Sequence, residues 1–228
     1  MGLQLKSDLK RNIITTADGS KTIQLEDWNE QYHSIHGAVQ EAYHVFIKNG
    51  LKLFQNKNIS ILEIGFGTGL NALITFAEAK KLGLNIYYEG VEAFPVSMDE
   101  IAALDYAETL GFQSYEKKFL QMHQSDWGTA VKLTDNFTLF KNKLDFQEIT
   151  HHSLFNLIYF DAFGYRVQPE LWSQLVFEKM FNSLKQGGVL VTYAAKGIVR
   201  RTMQQVGFSV ERLPGPPGKR EMLRATKL

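Results

Sequence analysis

Residues 59–71 read Ile-Ser-Ile-Leu-Glu-Ile-Gly-Phe-Gly-Thr-Gly-Leu-Asn, an apolar run holding one acid, Glu63, followed by Gly65, Gly67 and Gly69. Glycines at alternate positions give a backbone that bends sharply and approaches a ligand without Cβ interference. Two more acids close apolar runs further on, Glu92 after residues 86–91 and Asp161 after residues 155–160. Glu92 follows Gly69 by 23 residues, close to the offset of roughly 20 at which a carboxylate reaches ribose hydroxyls in α/β folds. There it accepts two charge-assisted hydrogen bonds from adjacent hydroxyls. Asp161 ends a run suited to the middle of a sheet, beside the glycine turn and facing a reacting group.

These positions demand a scaffold. Residues 59–64 suit a parallel strand buried on both faces. The turn after it places a small polar ligand at the carboxyl end of that strand. The pattern then predicts a helix over 71–81, a strand over 86–91, and a helix over 97–110 signalled by Pro95 and Ser97. A third strand over 137–144 leads to Asp145, which could meet an adenine amino group. A strand over 155–160, a helix over 169–184, a strand over 189–193 and a helix over 197–206 follow. Strands over 208–213 and 220–226 form a closing hairpin through Pro214-Gly215-Pro216-Pro217-Gly218. Ahead of this core, residues 13–16 and 22–25 flank Asp18-Gly19, a tight-hairpin signal. Residues 41–48 read as a helix stopping near Asn49-Gly50. Residues 111–136 are polar, with Phe119, Met122, Trp127 and Val131 arranged as a helical cover, and are read as an insertion. The expectation is one α/β domain over 1–228. Its Rossmann-like core (59–228) is a mostly parallel seven-stranded sheet with an antiparallel last strand, and residues 1–58 form an N-terminal extension.

Composition narrows the class. At 228 residues with 44% hydrophobic content the chain supports a real core. No apolar run is long enough to span a bilayer and no leader pattern opens the chain, so a cytoplasmic location is expected. The absence of cysteine removes disulfides and a thiol nucleophile. His33, His36 and His44 lack the acids or cysteines that complete a recognised metal spacing, and no metal is expected. The net charge of +1 hides an asymmetry. Residues 196–228 hold Lys196, Arg200, Arg201, Arg212, Lys219, Arg220, Arg224 and Lys227 against Glu211 and Glu221, a balance of +6 against −5 for the rest. Such a patch suits a polyanion.

The spacing of the turn selects the cofactor class. A dinucleotide fingerprint places a small residue where Leu70 stands, and the phosphate loop with its Gly-Lys-Ser/Thr ending is absent. Glu63-x-Gly65-x-Gly67-Thr68-Gly69 instead resembles the first motif of S-adenosyl-L-methionine-dependent methyltransferases. More specifically, the chain resembles the methyltransferase part of the bacterial enzymes that complete 5-methylaminomethyl-2-thiouridine at the tRNA wobble position. The matching segments are 41–46, 62–71, Glu92-x-Phe94-Pro95, Asp161-x-Phe163 with Pro169-Glu170-Leu171-Trp172, Val199-Arg200-Arg201, and Pro214-Gly215 with Lys219-Arg220-Glu221-Met222. The resemblance implies cofactor contacts from Glu63, Gly65, Phe66, Gly67, Gly69, Asn71, Glu92, Asp145 and Asp161, with Asp161 also catalytic. It implies contacts to a tRNA anticodon stem-loop from Phe163, Tyr165, Arg166, Arg200, Arg201, Lys219 and Arg220. The bifunctional members continue into a flavin oxidase, whereas this chain stops at Leu228 and is expected to act as a standalone methyltransferase. After Asp161 the family's Pro-Ala-Lys-Asn-Pro is replaced by Tyr165-Arg166-Val167-Gln168-Pro169, so the usual lysine is missing. Methylation of a small-molecule amine is the main alternative. Nicotinamide chemistry is disfavoured by Leu70, and a non-catalytic binding module would bind no cofactor. Oligomeric state is not legible.

Overall fold

The computed structural model describes residues 10–228; the first nine residues of the expected extension lie outside the described residues. Strands β1 (Arg11–Thr15), β2 (Lys21–Leu25) and β3 (Glu30–Gln31) form a separate antiparallel sheet. The expected hairpin turn is present, with Gly19 at φ 83°. Helix α1 (Ala38–Ala42) runs into a π-helical segment, Tyr43–Lys48, before β4 (Asn58–Ile64). Then come α2 (Leu70–Ala79) and β5 (Asn85–Val91). Helix α3 (Met98–Leu104) starts after Ser97, as the sequence signal anticipates, and opens with a Ser97–Glu100 capping box. The expected long helix breaks at Asp105, whose φ is 53°, and resumes as α4 (Tyr106–Thr109).

The insertion departs from its expected helical cover. Helix α5 (Glu116–Gln124) is followed by strand β6 (Ala130–Thr134), which pairs antiparallel with β7 (Phe137–Asn142). Val131 belongs to that strand because half-buried Val131 and buried Leu133 alternate with exposed neighbours, a period of two. Strand β8 (Phe155–Phe160) sits where expected. The helix expected from Pro169 is a 3-10 turn, Pro169–Trp172, and then α6 (Gln174–Ser183), capped by Ser173. Strand β9 (Leu184–Thr192) absorbs Gly187-Gly188 as an irregularity in its pairing with β8. Helix α7 (Gly197–Val206), β10 (Ser209–Pro214) and β11 (Glu221–Thr226) complete the chain.

The main sheet has eight strands in the order β10-β11-β9-β8-β4-β5-β7-β6. The seven expected strands are all present, and β6 is the addition at one edge. Strands β9, β8, β4, β5 and β7 are mutually parallel, and β11 runs antiparallel to β9. Successive side chains feed opposite faces: Ile61, Leu157, Tyr159 and Val191 pack with α2, and Leu62, Ile158, Phe160 and Leu190 pack with α6 and α7. After β4 the chain first builds toward β5 and β7, then returns to lay β8 on the other side of β4. The carboxyl ends of β4, β5 and β8 therefore splay around one crevice, the place where open α/β sheets bind ligands.

Candidate functional site

That crevice is a cleft of about 940 Å³, counting its open mouth, and the small N-terminal sheet roofs it. Arg11 of β1 reaches Glu100 Oε2 and the Phe94 carbonyl, both at 3.3 Å. Glu30 of β3 pairs with Arg166 at 3.0 Å. The extension expected as an appendage is thus fastened to both lips of the cleft.

The floor is the glycine turn. Gly65, Gly67 and Gly69 adopt φ of 87°, 48° and 71°, and the Gly65 and Phe66 amides both donate to the Val91 carbonyl at 3.0 Å. A Cβ on Gly65 would stand 2.7 Å from the Asp161 carbonyl oxygen. Only glycine therefore lets β4 and β8 end side by side, which brings Asp161 to the turn.

Glu92, at the end of β5, accepts hydrogen bonds from the Gly67 amide (3.0 Å) and the Phe94 amide (2.8 Å). Burial raises its pKa, and those two amides oppose the rise. A carboxylate has about four lone-pair sites, so acceptor capacity remains for ligand hydroxyls. Asp145 lines the same end with Phe94 and Phe146, and its carboxylate also takes the Gln147 amide at 2.9 Å.

On the other side of the turn lies a chain of buried polar groups. Tyr88 donates its hydroxyl to Glu63 Oε2 at 2.7 Å. Asn71 uses both amide protons, one on Glu63 Oε1 (2.9 Å) and one on Asp161 Oδ2 (2.8 Å). Burial lifts the Glu63 carboxyl well above the usual carboxylate range. Burial also pushes Asp161 up to about 7, with Glu41 acting in the same direction and the Asn71 hydrogen bond and Lys219 opposing. Asp161 is a carboxyl whose proton is exchangeable near neutrality, held in place by Asn71. Asn71 Oδ1 is buried, lies in a residue that lines the cleft, and has no partner. A buried carbonyl oxygen of this kind calls for a donor, and an amino-acid ammonium supplies one.

Of the expected recognition residues, Phe163 lines the cleft, its carbonyl held by Trp172 Nε1 at 2.8 Å. Tyr165 instead packs beneath Lys196, whose Nζ lies 5.2 Å from the ring centroid. Arg166 is occupied by Glu30, although two-thirds exposed. Lys219, expected as a phosphate contact, is engaged inward: it pairs with Glu41 and lies 3.8 Å over the Tyr193 ring. Arg201 and Arg220 are exposed and Arg200 is half-buried. Elsewhere in the basic tail, Arg212, Arg224 and Lys227 are spent on Glu221, Glu211 and main-chain carbonyls. The cleft also uses Trp28, Tyr32 and Tyr193, which carried no signal in the sequence, and His33, which was weighed there only as a metal ligand. His33 sits 3.0 Å from Thr22 Oγ1, and burial lowers its pKa to about 4, which keeps the ring neutral. Among the described residues no cluster of three His, Cys, Asp or Glu is placed to hold a metal, and no helix is long and apolar enough to cross a membrane.

The architecture recurs in solved structures. MNMC2 from Aquifex aeolicus superposes with a TM-score of 0.72 at 23% identity, covering 96% of this chain and 71% of that one. Spermidine synthase from Thermotoga maritima gives 0.61 at 13% identity, covering 98% and 70%. The fold is that of the Rossmann-like methyltransferases. Residues 107–228 match the model of an S-adenosyl-L-methionine-dependent methyltransferase family, and the chain belongs to that family. Among curated relatives, the tRNA 5-methylaminomethyl-2-thiouridine biosynthesis bifunctional protein MnmC of Leptospira interrogans is 31% identical over 212 residues, or 87% of this chain. The Cupriavidus necator protein of the same name is 29% identical over 215 residues. The chain spans about a third of the length of these relatives, 32% in both cases. The cofactor is S-adenosyl-L-methionine. The glycine cradle, the Glu92 carboxylate and the unpartnered Asn71 oxygen suit its methionine and ribose portions.

Proposed function

We propose that this protein methylates the exocyclic amine of 5-aminomethyluridine or its 2-thio form at the tRNA wobble position, giving the 5-methylaminomethyl nucleoside. The observation that carries the proposal is Asp161, a carboxyl at the carboxyl end of β8, hydrogen-bonded by Asn71 and raised to about 7. The names of the relatives that match over 87% of this chain supply the nucleoside.

When bound, S-adenosyl-L-methionine supplies the sulfonium methyl group that the amine nitrogen takes. An alkylamine with a pKa near 10 is mostly protonated at neutral pH and must lose a proton before its lone pair is free. Asp161 receives that ammonium, orients it by a charge-assisted hydrogen bond, and accepts the proton. Asn71 fixes the rotamer of the carboxylate, so the nitrogen is delivered at a set place relative to the glycine turn. Gly65, Phe66, Gly67 and Asn71, which line the cleft, hold the methionine side of the donor. Gly69 and fully buried Glu63, both expected as contacts, stand behind that lining, Gly69 shaping the turn and Glu63 fixing Asn71 from beneath. Glu92 and Asp145 hold its nucleoside side.

The RNA contacts fall to basic residues that the fold leaves available: Arg200, Arg201 and Arg220, with Lys196 at the start of the helix that carries the first two; Arg166 stays paired with Glu30. A wobble uridine lies in a single-stranded loop and reaches a cleft without duplex melting. The test is transfer of a labelled methyl group to bulk tRNA from cells lacking the activity, followed by nucleoside analysis. Label in 5-methylaminomethyl nucleosides supports the proposal. Label confined to free small-molecule amines transfers the assignment to the alternative.

A further inference from the structure

Three half-buried aromatic rings stand together on one side of the cleft. Phe163 follows β8, Trp28 lies in the turn between β2 and β3, and Tyr32 follows β3. Tyr32 and Trp28 meet Phe163 edge-to-face, with centroids 5.1 and 6.0 Å away. All three line the cleft. The position of Phe163 is imposed twice over, by Trp172 Nε1 on its own carbonyl and by the Tyr193 hydroxyl on the Ala162 carbonyl, both at 2.8 Å.

The location of these rings decides what they can serve. The groups suited to the adenosine of the donor, Glu92, Phe94, Asp145 and Phe146, lie at the ends of β5 and β7. Phe163 and Trp28 lie at the end of β8, and β4 separates β8 from β5. Tyr32 marks the divide, with a Cβ on Gly67 falling 3.2 Å from its ring. The β8 side also carries Asp161, two residues before Phe163. We infer that Trp28, Tyr32 and Phe163 form a stacking subsite for the planar base of the acceptor, so that the small N-terminal sheet is a substrate-recognition element. Stacking on aromatic faces is how proteins hold an unpaired base, and a ring seated there presents a short exocyclic amine toward Asp161. The Glu30–Arg166 pair keeps Trp28 over Phe163 by tying β3 to the loop after β8.

This inference rests on the acceptor assignment above, so its test separates the two. An anticodon stem-loop carrying 5-aminomethyluridine is measured for direct binding by fluorescence anisotropy, and for methyl transfer under steady state. The proteins are wild type, Trp28→Ala, Phe163→Ala and Trp28→Phe, with cofactor affinity read by calorimetry. The expected result is that Trp28→Ala and Phe163→Ala weaken stem-loop binding and raise KM by about five- to a hundredfold, the range of one base–aromatic stack. Cofactor affinity stays within about threefold, and Trp28→Phe recovers most of the loss because a ring face is restored. Unchanged binding and KM in alanine variants that melt like wild type would overturn the subsite, as would a parallel loss of cofactor affinity. Wild-type protein that binds the stem-loop but transfers no methyl group would sink the acceptor assignment, and the binding data alone would then decide the subsite. Wild type that binds no stem-loop overturns both.

Discussion

Replacing Asp161 by asparagine should make the protein more stable and nearly inactive. The carboxyl moves from an ordinary value of 3.8 to about 7 on folding, chiefly through burial. The folded state therefore binds this proton more tightly than the unfolded chain does. Below about pH 4 both states are protonated and the group is neutral toward stability. As pH rises toward 7 the unfolded chain ionises first, and stability is lost. Above 7 the full difference opposes folding, about 4 kcal/mol by proton linkage. Part of the side chain reaches the water of the cleft, which reduces the expected effect to about 2 kcal/mol. Asparagine cannot ionise, yet it still offers Asn71 an acceptor oxygen. Urea unfolding of both proteins at about pH 5 and about pH 8 reads the difference. The variant should gain about 1 kcal/mol over wild type between the two conditions, since at about pH 5 the unfolded carboxyl is already largely ionised and part of the loss has occurred, while kcat falls by about 10² to 10⁴ through loss of the proton acceptor. Cofactor affinity should stay within about tenfold, because the glycine cradle and Glu92 are untouched. An identical pH dependence in the two proteins, or a variant less stable at the higher pH, would refute the reasoning.

Other perturbations probe separate links. Wild-type kcat should rise with pH through about 7, since Asp161 must be ionised to take the proton, and a flat profile at limiting chemistry would count against that role. Gly65→Ala forces a Cβ against the Asp161 carbonyl at a φ of 87°; calorimetry should show cofactor affinity reduced by about tenfold or more, with a strain cost of about 1–3 kcal/mol. Glu63→Ala strips the acceptor from Tyr88 and Asn71 in a fully buried position and should cost about 2–4 kcal/mol in denaturation, with Glu63→Gln costing less than half as much. The double variant Arg200→Ala with Arg201→Ala should lower the slope of log affinity for tRNA against log salt by about one to two, and an unchanged slope would remove α7 from the RNA surface.

What could be read from the residues was what local pattern encodes. The apolar runs of β4, β5 and β8 end on Glu63-x-Gly65, Glu92 and Asp161, and the parallel topology converges them. The start of α3 was legible from Pro95 and Ser97, and the structure adds Glu100 as the second partner of a capping box with Ser97. Strand β6 was missed because only Leu133 of its five residues is buried, so a period of two shows only at Val131 and Leu133. The break at Asp105 depends on one left-handed residue inside an otherwise helical pattern. Long-range pairings leave no local trace at all. Lys219 looks like one basic residue among eight in the tail until the fold brings Glu41 to it from 178 positions away. The same applies to Trp28 and Tyr32, isolated aromatics with no periodicity, which enter the cleft only because the N-terminal sheet folds over it.

The central claim is that this cleft joins a methyl group to an exocyclic amine on RNA. Two synthetic anticodon stem-loops, identical except that one carries 5-aminomethyl-2-thiouridine and the other uridine at the wobble position, are incubated with labelled S-adenosyl-L-methionine and digested to nucleosides. The account predicts label on the aminomethyl nitrogen of the first RNA and none on the second. Equal labelling of both RNAs, or labelling of neither by a protein that binds the cofactor, would contradict it.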